Sequence, residues 1–168
     1  MILKAIDKAR YRKHLNIVFA VIALSTLLIS LGISTLLIEM LSRAEESHFY
    51  HNIAGAIIAV TIVFYTLHKF RHHEFMEEVT YVWDLKQQLN KIYRKQHKIE
   101  AALESNNPNA MIIINFQNHG SKQLYELDDN TITMDELADK ILQHNKHLDK
   151  AGLPRSTDNY NPALLDEF

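Results

Sequence analysis

The chain has 168 residues, of which 47% are hydrophobic and 23% charged, and its formal net charge is −2 at pH 7. At this length the chain is too short for several independent domains. It contains no cysteine, which excludes a disulfide framework and a zinc site built from thiolates.

The first element in chain order is an uncharged apolar segment, Leu15 to Ile38, that follows a basic stretch over 1–14. About 20 apolar residues in a helix cross the hydrocarbon core of a bilayer, so the sequence predicts a transmembrane helix over 15–41. A cleaved signal peptide is the alternative, but its apolar core is about 7–15 residues long and ends at a small-residue cleavage site. Because this segment is longer and lacks that site, an uncleaved anchor is favoured.

A second apolar segment follows a short polar loop, 42–48, and predicts a transmembrane helix over 49–68. Its apolar core is shorter than the first, so we expect it to lean on the first helix. Four small residues would allow close approach of helices in lipid, namely Ser30, Ser34, Gly55 and Ala59. This contact either closes a hairpin within one chain or joins two copies, and the sequence leaves both open.

Positive charge predicts how the chain is oriented. Lys and Arg are frequent before the first span and follow the second at Lys69 and Arg71, whereas the loop between the spans contains only Arg43. Because Lys and Arg are retained on the cytoplasmic side of a membrane, both termini are expected in the cytoplasm and the loop outside.

The next element is predicted as one helix from about Lys69 to Glu104, continuous with the second span and leading a cytoplasmic helical domain over 69–152. Apolar residues recur along it at steps of three or four, as in a coiled coil. We call these residues the seam: Val79, Val82, Leu85, Leu89, Ile92, Ile99 and Leu103. Such a seam needs cover, either from later segments of the chain or from a second copy.

The following segment favours a helix, with Asn107 and Pro108 suited to the N-cap and the first helical position. A β-hairpin at about 110–127 is the alternative, because the segment is rich in β-branched residues and contains Gly120. On the helical interpretation the fold is all-α: a membrane hairpin continuing into a long helix that packs with two or more shorter helices.

The last predicted helix begins at a capping box formed by Thr133 and Glu136 and ends before Gly152. The remaining residues, 153–168, are predicted to form an extended tail. Its final residues could dock on the domain or bind a partner.

The most distinctive sequence segment in the polar part of the chain is Gln123 to Thr131, QLYELDDNT. Together with the two spans, it resembles an uncharacterised family of small two-span bacterial inner-membrane proteins. The resemblance implies a place in the bacterial cytoplasmic membrane, and it implies no activity, ligand or catalytic residue.

Histidine is frequent, with ten in the chain, and two pairs are weak candidates for metal ligands: His48 with His51, and His68 with His72. Imidazole binds metals well, but two ligands on one helix do not complete a site. The second pair is more simply explained by a basic collar that meets anionic lipid head groups. The first pair lies near Glu45 and Glu46 and fits a hydrated interface, so no metal and no cofactor are predicted.

A basic stripe on the long helix is the only feature that suggests nucleic acid: Lys91, Arg94, Lys95 and Lys98. Residues 105–168, however, carry ten acidic and five basic residues, a net charge of −5, which would repel phosphate. The stripe could instead pair with the acidic first turn of the last helix, at Asp135, Glu136 and Asp139. We therefore expect no nucleic-acid partner.

Motifs for catalysis are missing from the sequence, which has four glycines and neither a phosphate-binding loop nor a nucleophile motif. The expected function is that of a non-catalytic membrane protein, a self-associating scaffold or adaptor. Its partners would be the lipid bilayer and either a second copy or another membrane or cytoplasmic protein. A small channel or a transport accessory subunit is the alternative.

Overall fold

The computed structural model describes residues 1–41 and 47–168. Within these two ranges, six α-helices follow one another: α1 (Lys8–Leu41), α2 (Phe49–Phe70), α3 (Glu77–Arg94), α4 (Gln96–Glu104), α5 (Pro108–Asp128) and α6 (Met134–Lys150). Two 3-10 helices occupy Glu74–Met76 and Pro162–Glu167. Since the described ranges contain no strand, the all-α prediction is confirmed, and the helix rather than the hairpin is correct at 110–127.

The chain forms two compact units. The first, which we call the two-helix unit, is Ala9–Thr80. The second combines two separate stretches of chain, Met1–Lys8 and Tyr81–Phe168, and we call it the discontinuous unit. Hydrogen bonds join its two stretches, since the Tyr81 hydroxyl accepts from the Lys4 amide at 2.9 Å and Gln123 donates to the Lys4 carbonyl.

The prediction of one unbroken helix from the second span to Glu104 is wrong, because the structure interrupts it twice. The first interruption separates α2 from α3, where His73 is extended and its Nδ1 accepts a hydrogen bond from the Phe75 amide at 3.1 Å. Such a local side-chain bond competes with helix continuation. The second interruption is at Lys95 (φ −107°, ψ 7°), whose carbonyl accepts hydrogen bonds from the amides of Lys98 and Ile99 at the start of α4. Apolar spacing continues across both breaks and so could not reveal them.

The core of the discontinuous unit is built around α5, which packs against α4, α6 and the second 3-10 helix. The seam is covered by this helix of the same chain: a Cβ added at Gly120 would lie 3.2 Å from a Leu85 methyl and 3.3 Å from a Leu89 methyl. Five of the seam residues are buried, namely Val82, Leu85, Leu89, Ile92 and Ile99. Val79 and Leu103 are half-buried.

Helix termini follow the predicted capping at one place and depart from it at another. The Asn107 side chain accepts from the amides of Asn109 and Ala110, at 2.8 and 3.1 Å, with Pro108 in the first turn of α5. Thr133 is the N-cap of α6 but makes no side-chain capping bond. The predicted capping box is not formed, because the Glu136 carboxylate pairs with Lys140 at 2.6 Å instead.

The C-terminal segment is folded, so the expectation of an extended tail is wrong for residues 162–167. Asn161 caps the second 3-10 helix by accepting from the Ala163 amide at 3.0 Å. Tyr160 is buried, and its ring stacks on Phe116 with 3.9 Å between ring centroids. The structure therefore shows the docked arrangement that the sequence left as an alternative, and aromatic stacking and burial hold it in place.

Candidate functional site

The two-helix unit is dominated by exposed apolar surface. The most apolar windows of α1 and α2 have mean hydropathies of 2.5 and 1.7, yet only 6% and 17% of their residues are buried. Both helices are long and apolar enough to cross a membrane. The core helix of a soluble protein would instead be mostly buried.

The four small residues predicted as packing positions lie where α1 and α2 meet or are buried nearby. A Cβ added at Gly55 would lie 2.9 Å from the Ser34 backbone nitrogen and 3.0 Å from the Ser30 carbonyl oxygen. Ser34 and Ala59 are buried, with exposures of 6% and 0%. The helices therefore approach so closely at Gly55 that no larger residue fits without displacement of backbone.

An ion cluster ties the start of α3 to α1 within the two-helix unit. The Glu78 carboxylate accepts from Arg10 Nε at 2.7 Å and lies 3.3 Å from His14 Nδ1. The His14 ring also stacks on Phe75, with 4.2 Å between ring centroids. Because only 10% of the Glu78 side chain is exposed, its charge requires such partners.

Sequence reasoning missed this cluster. The sequence feature that could have revealed it is a carboxylate at a position of the apolar helical spacing. Glu78 stands three residues after Phe75 and four before Val82. Residues at that spacing share a face of a helix, and an acidic side chain on such a face predicts a buried partner.

An apolar cleft of about 350 Å³ lies in the same unit, between the basic end of α1 and the C-terminal end of α2. Ile17, Val18 and Val21 form one wall, and Thr66, Leu67 and Phe70 form the other. The segment between α2 and α3 closes it with His73, Phe75 and Met76. Its lining is almost entirely carbon, which suits an apolar occupant and not an ion.

A polar groove of about 340 Å³ runs over the discontinuous unit, lined by α3, α4, α5 and α6. Several of its polar groups bond to one another. Gln117 donates to Gln96 at 2.9 Å, and Gln96 donates to Glu100 at 2.8 Å. The hydroxyls of Tyr93 and Ser121 are 3.3 Å apart. These side chains offer hydrogen-bond donors and acceptors along the groove.

His144 forms part of the groove and is itself buried. Its Nε2 lies 2.9 Å from the carbonyl oxygen of Met111, and because a carbonyl only accepts, Nε2 carries the proton. Burial lowers the pKa of His144, although the bond to Met111 opposes this. Burial and the neighbouring Lys122 likewise lower the pKa of His119. Both shifts favour neutral imidazoles.

Two members of the basic stripe bind the C-terminal segment rather than the acidic first turn of α6. Lys95 Nζ donates to the Leu165 carbonyl at 2.7 Å, and Lys98 Nζ donates to an oxygen of Phe168. The Glu167 carboxylate accepts from the amides of Asn109 and Asn107, which lower its pKa. The tail is therefore held by polar bonds at its end as well as by Tyr160.

The histidines considered as metal ligands are not assembled into a site in the part of the chain that the structure describes. There, no three or more His, Asp, Glu or Cys side chains are grouped so as to hold a metal ion. This covers His48, His51, His68 and His72, whereas Glu45 and Glu46 lie outside the described residues. Among the residues that the structure describes, the Nδ1 atom of His51 is buried without a hydrogen-bond partner.

Comparison with known families gives one match, to the family described as "Protein of unknown function (DUF3087)", over residues 1–165. The chain belongs to this family. Its description gives no activity, and it agrees with the predicted resemblance to an uncharacterised family. No curated protein and no solved structure matches this DUF3087 member.

Proposed function

We propose that the protein is a non-catalytic integral membrane protein whose discontinuous unit serves as a cytoplasmic scaffold or adaptor. The observation that carries the membrane part is the exposed apolar surface of α1 and α2. Leu24, Leu28 and Phe64 are 60%, 67% and 69% exposed. Soluble monomers rarely expose contiguous apolar patches beyond a few hundred Å², and a bilayer would cover this one.

Charge supports an orientation with both termini in the cytoplasm of a bacterium. The chain before α1 and its first turns are rich in Lys and Arg, and Lys69 and Arg71 mark the end of α2. The positive-inside rule places such residues on the cytoplasmic side. The discontinuous unit would then lie entirely in the cytoplasm.

The adaptor part of the proposal is supported by the groove of the discontinuous unit. Its amides and hydroxyls are suited to hydrogen bonding with a polypeptide, and interface side chains commonly change rotamer when a partner binds. The net charge of −5 over residues 105–168 favours a protein partner over nucleic acid. Cross-linking in cells, followed by identification of proteins recovered with the chain, tests this role. Recovery of the chain without any other protein would contradict the adaptor role.

Self-association is part of the same proposal, but the seam no longer supports it. Because α5 of the same chain covers the seam at Leu85 and Leu89, a coiled coil between copies is not needed to bury it. Two copies would have to meet elsewhere. The molar mass of the protein in detergent, corrected for bound detergent, tests this directly, and a strict monomer would remove self-association while leaving the adaptor role.

A small channel or transport accessory subunit is the second candidate. It is favoured by the buried Nδ1 atom of His51, which has no hydrogen-bond partner within 1–41 and 47–168, since polar atoms near a membrane need a partner or a path to water. This candidate predicts ion flux in liposomes that carry the purified protein. The flux should fall when His51 or Asn52 is replaced by leucine, and liposomes without flux would exclude it.

A further inference from the structure

We infer that the cleft between α1 and α2 binds one anionic phospholipid, with an acyl chain in the cleft and the phosphate beside Lys13, Lys69 and His73. This inference rests on the proposed membrane location. It goes further by assigning a specific lipid class to a site of stated residues.

The cleft is the right kind of space for a hydrocarbon chain. Its volume of about 350 Å³ lies at the lower end of the range of roughly 300–1,000 Å³ that is typical of ligand sites. Because its walls are almost entirely carbon, water gains few hydrogen bonds there, and apolar cavities of this kind take up apolar molecules. In a bilayer the available apolar molecules are acyl chains.

A lysine stands one helical turn from a cleft-lining residue on each of the two helices. Lys13 precedes Ile17 by four residues, and Lys69 follows Thr66 by three, so each lysine shares a helix face with a lining residue. Both lysines are exposed. Ammonium groups close to a membrane surface attract anionic lipid head groups.

His73 adds a hydrogen-bond donor at the end of the cleft. Its Nδ1 accepts from the Phe75 amide at 3.1 Å, so Nε2 carries the ring proton and can donate to a phosphate or glycerol oxygen. The buried carboxylate of Glu78, in the same unit, is paired with Arg10 and His14. Its charge is therefore compensated within the protein.

The proposal is tested with the full chain in detergent, to which phosphatidylglycerol and phosphatidylcholine with identical acyl chains are added. Native mass spectrometry counts the lipids that each protein molecule retains. We expect one phosphatidylglycerol to be retained in preference to phosphatidylcholine. Each lysine near an anionic surface changes binding by a factor of about five, so Lys13→Gln with Lys69→Gln should lower the preference about 25-fold.

Matched variants separate the two parts of the site. Lys146→Gln with Lys150→Gln removes two exposed charges from α6 and should leave the preference unchanged. Val21→Phe fills the cleft and should abolish retention of both lipids, whereas Val60→Phe, at an exposed position of α2 outside the cleft, should not.

Three outcomes would overturn the inference: equal retention of both lipids by the unaltered chain, an unchanged preference after the loss of Lys13 and Lys69, or equal effects of the two valine variants. Extraction of cellular membranes with alkaline carbonate keeps this result distinct from the proposed function. A chain released by carbonate would contradict the membrane proposal itself. A chain that stays in the membrane but shows no lipid preference would contradict only the lipid site.

Discussion

His144 shows how a single polar residue is accommodated in the core of the discontinuous unit. Only 5% of it is exposed, and its Nε2 is satisfied by a carbonyl of another helix, that of Met111. A buried histidine is stable in such a place when neutral. The sequence alone gave no reason to single it out, because its carbonyl partner is set by the packing of α5 against α6.

Replacement of His144 by glutamine should make stability less dependent on pH. Burial lowers the folded-state pKa of His144 below its ordinary value of 6.5, so the unfolded chain takes up the proton first. The stabilisation is fully present above about pH 6.5 and is lost as the pH falls through the folded-state pKa, by up to about 1.4 kcal/mol per pH unit.

Denaturant unfolding of the detergent-solubilised chain at about pH 7.5 and pH 5.5 measures this effect. His144→Gln keeps a donor for the Met111 carbonyl but cannot titrate, so its loss of stability on acidification should be smaller. Part of the effect should persist, because the pKa of His119 is also lowered. An identical loss in both proteins would contradict the prediction.

Leu85 and Leu89 limit the size of the side chain that fits at position 120. In Gly120→Ala, relief of the glycine penalty of about 0.5–1 kcal/mol in a helix opposes a Cβ that would lie 3.2 Å from a leucine methyl. We therefore expect a change within about 1 kcal/mol. Gly120→Val should lower the free energy of unfolding by about 1–3 kcal/mol through overpacking. Equal stability of both variants, measured by denaturant unfolding, would show that α5 does not approach α3 so closely.

At the scale of helices, the sequence predicted the type of each element better than its ends. Apolar residues spaced for one face identified α5 and α6, and Asn107 located the start of α5 because its cap is a local interaction. The breaks at His73 and Lys95 could not be predicted, since neither proline nor glycine marks them. The folded tail depends on a contact between Tyr160 and Phe116, which are distant in sequence.

Close approach of α1 and α2 should depend on Gly55. In Gly55→Ala the added Cβ would meet the backbone of α1 at 2.9–3.0 Å, and backbone cannot rotate away as a side chain can. We expect the free energy of unfolding of the hairpin to fall by about 1–3 kcal/mol. The loss should appear as a lower midpoint when helix content in detergent is followed during heating. Gly32→Ala is the matched control, because nothing lies within 4 Å of its Cβ. Equal midpoints for both variants would refute the contact.

Docking of the C-terminal segment should depend on Tyr160. Tyr160→Ala removes the ring stacked on Phe116 and the hydroxyl that accepts from Gln88, and truncation of a buried aromatic residue costs about 3–5 kcal/mol. The same truncation at the exposed neighbour Asn159 should change stability by less than about 0.5 kcal/mol. Limited proteolysis, followed by mass spectrometry, should show faster cleavage within 153–168 only in the tyrosine variant. Equal protection in both would mean that the tail is held without Tyr160.

For the whole molecule, long apolar runs predicted two apolar helices and the spacing of apolar residues predicted a helical remainder, because both are strong sequence signals. The division into units could not be predicted. The first eight residues were expected to belong to the basic stretch over 1–14, but Lys4 forms hydrogen bonds with Tyr81 and Gln123 inside the discontinuous unit. Contacts between residues so far apart in sequence leave no local pattern.

The orientation can be tested with single cysteines, because the chain has none of its own. Ser47→Cys lies in the loop between the proposed spans, and Ser105→Cys lies at the exposed end of α4. In intact cells, a membrane-impermeant maleimide should label the first variant and not the second, whereas both should be labelled after the cells are opened. The reverse pattern would contradict cytoplasmic termini.

The discontinuous unit imposes an order on biosynthesis. Its first stretch, Met1–Lys8, leaves the ribosome before α1 and α2, and its second, Tyr81–Phe168, leaves afterwards. The hydrogen bonds that Lys4 donates to Tyr81 and accepts from Gln123 can form only when both stretches are available on the same side of the membrane. Insertion of both proposed spans would therefore precede folding of this unit, and a chain that inserted only one of them would leave its two stretches on opposite sides and never complete it.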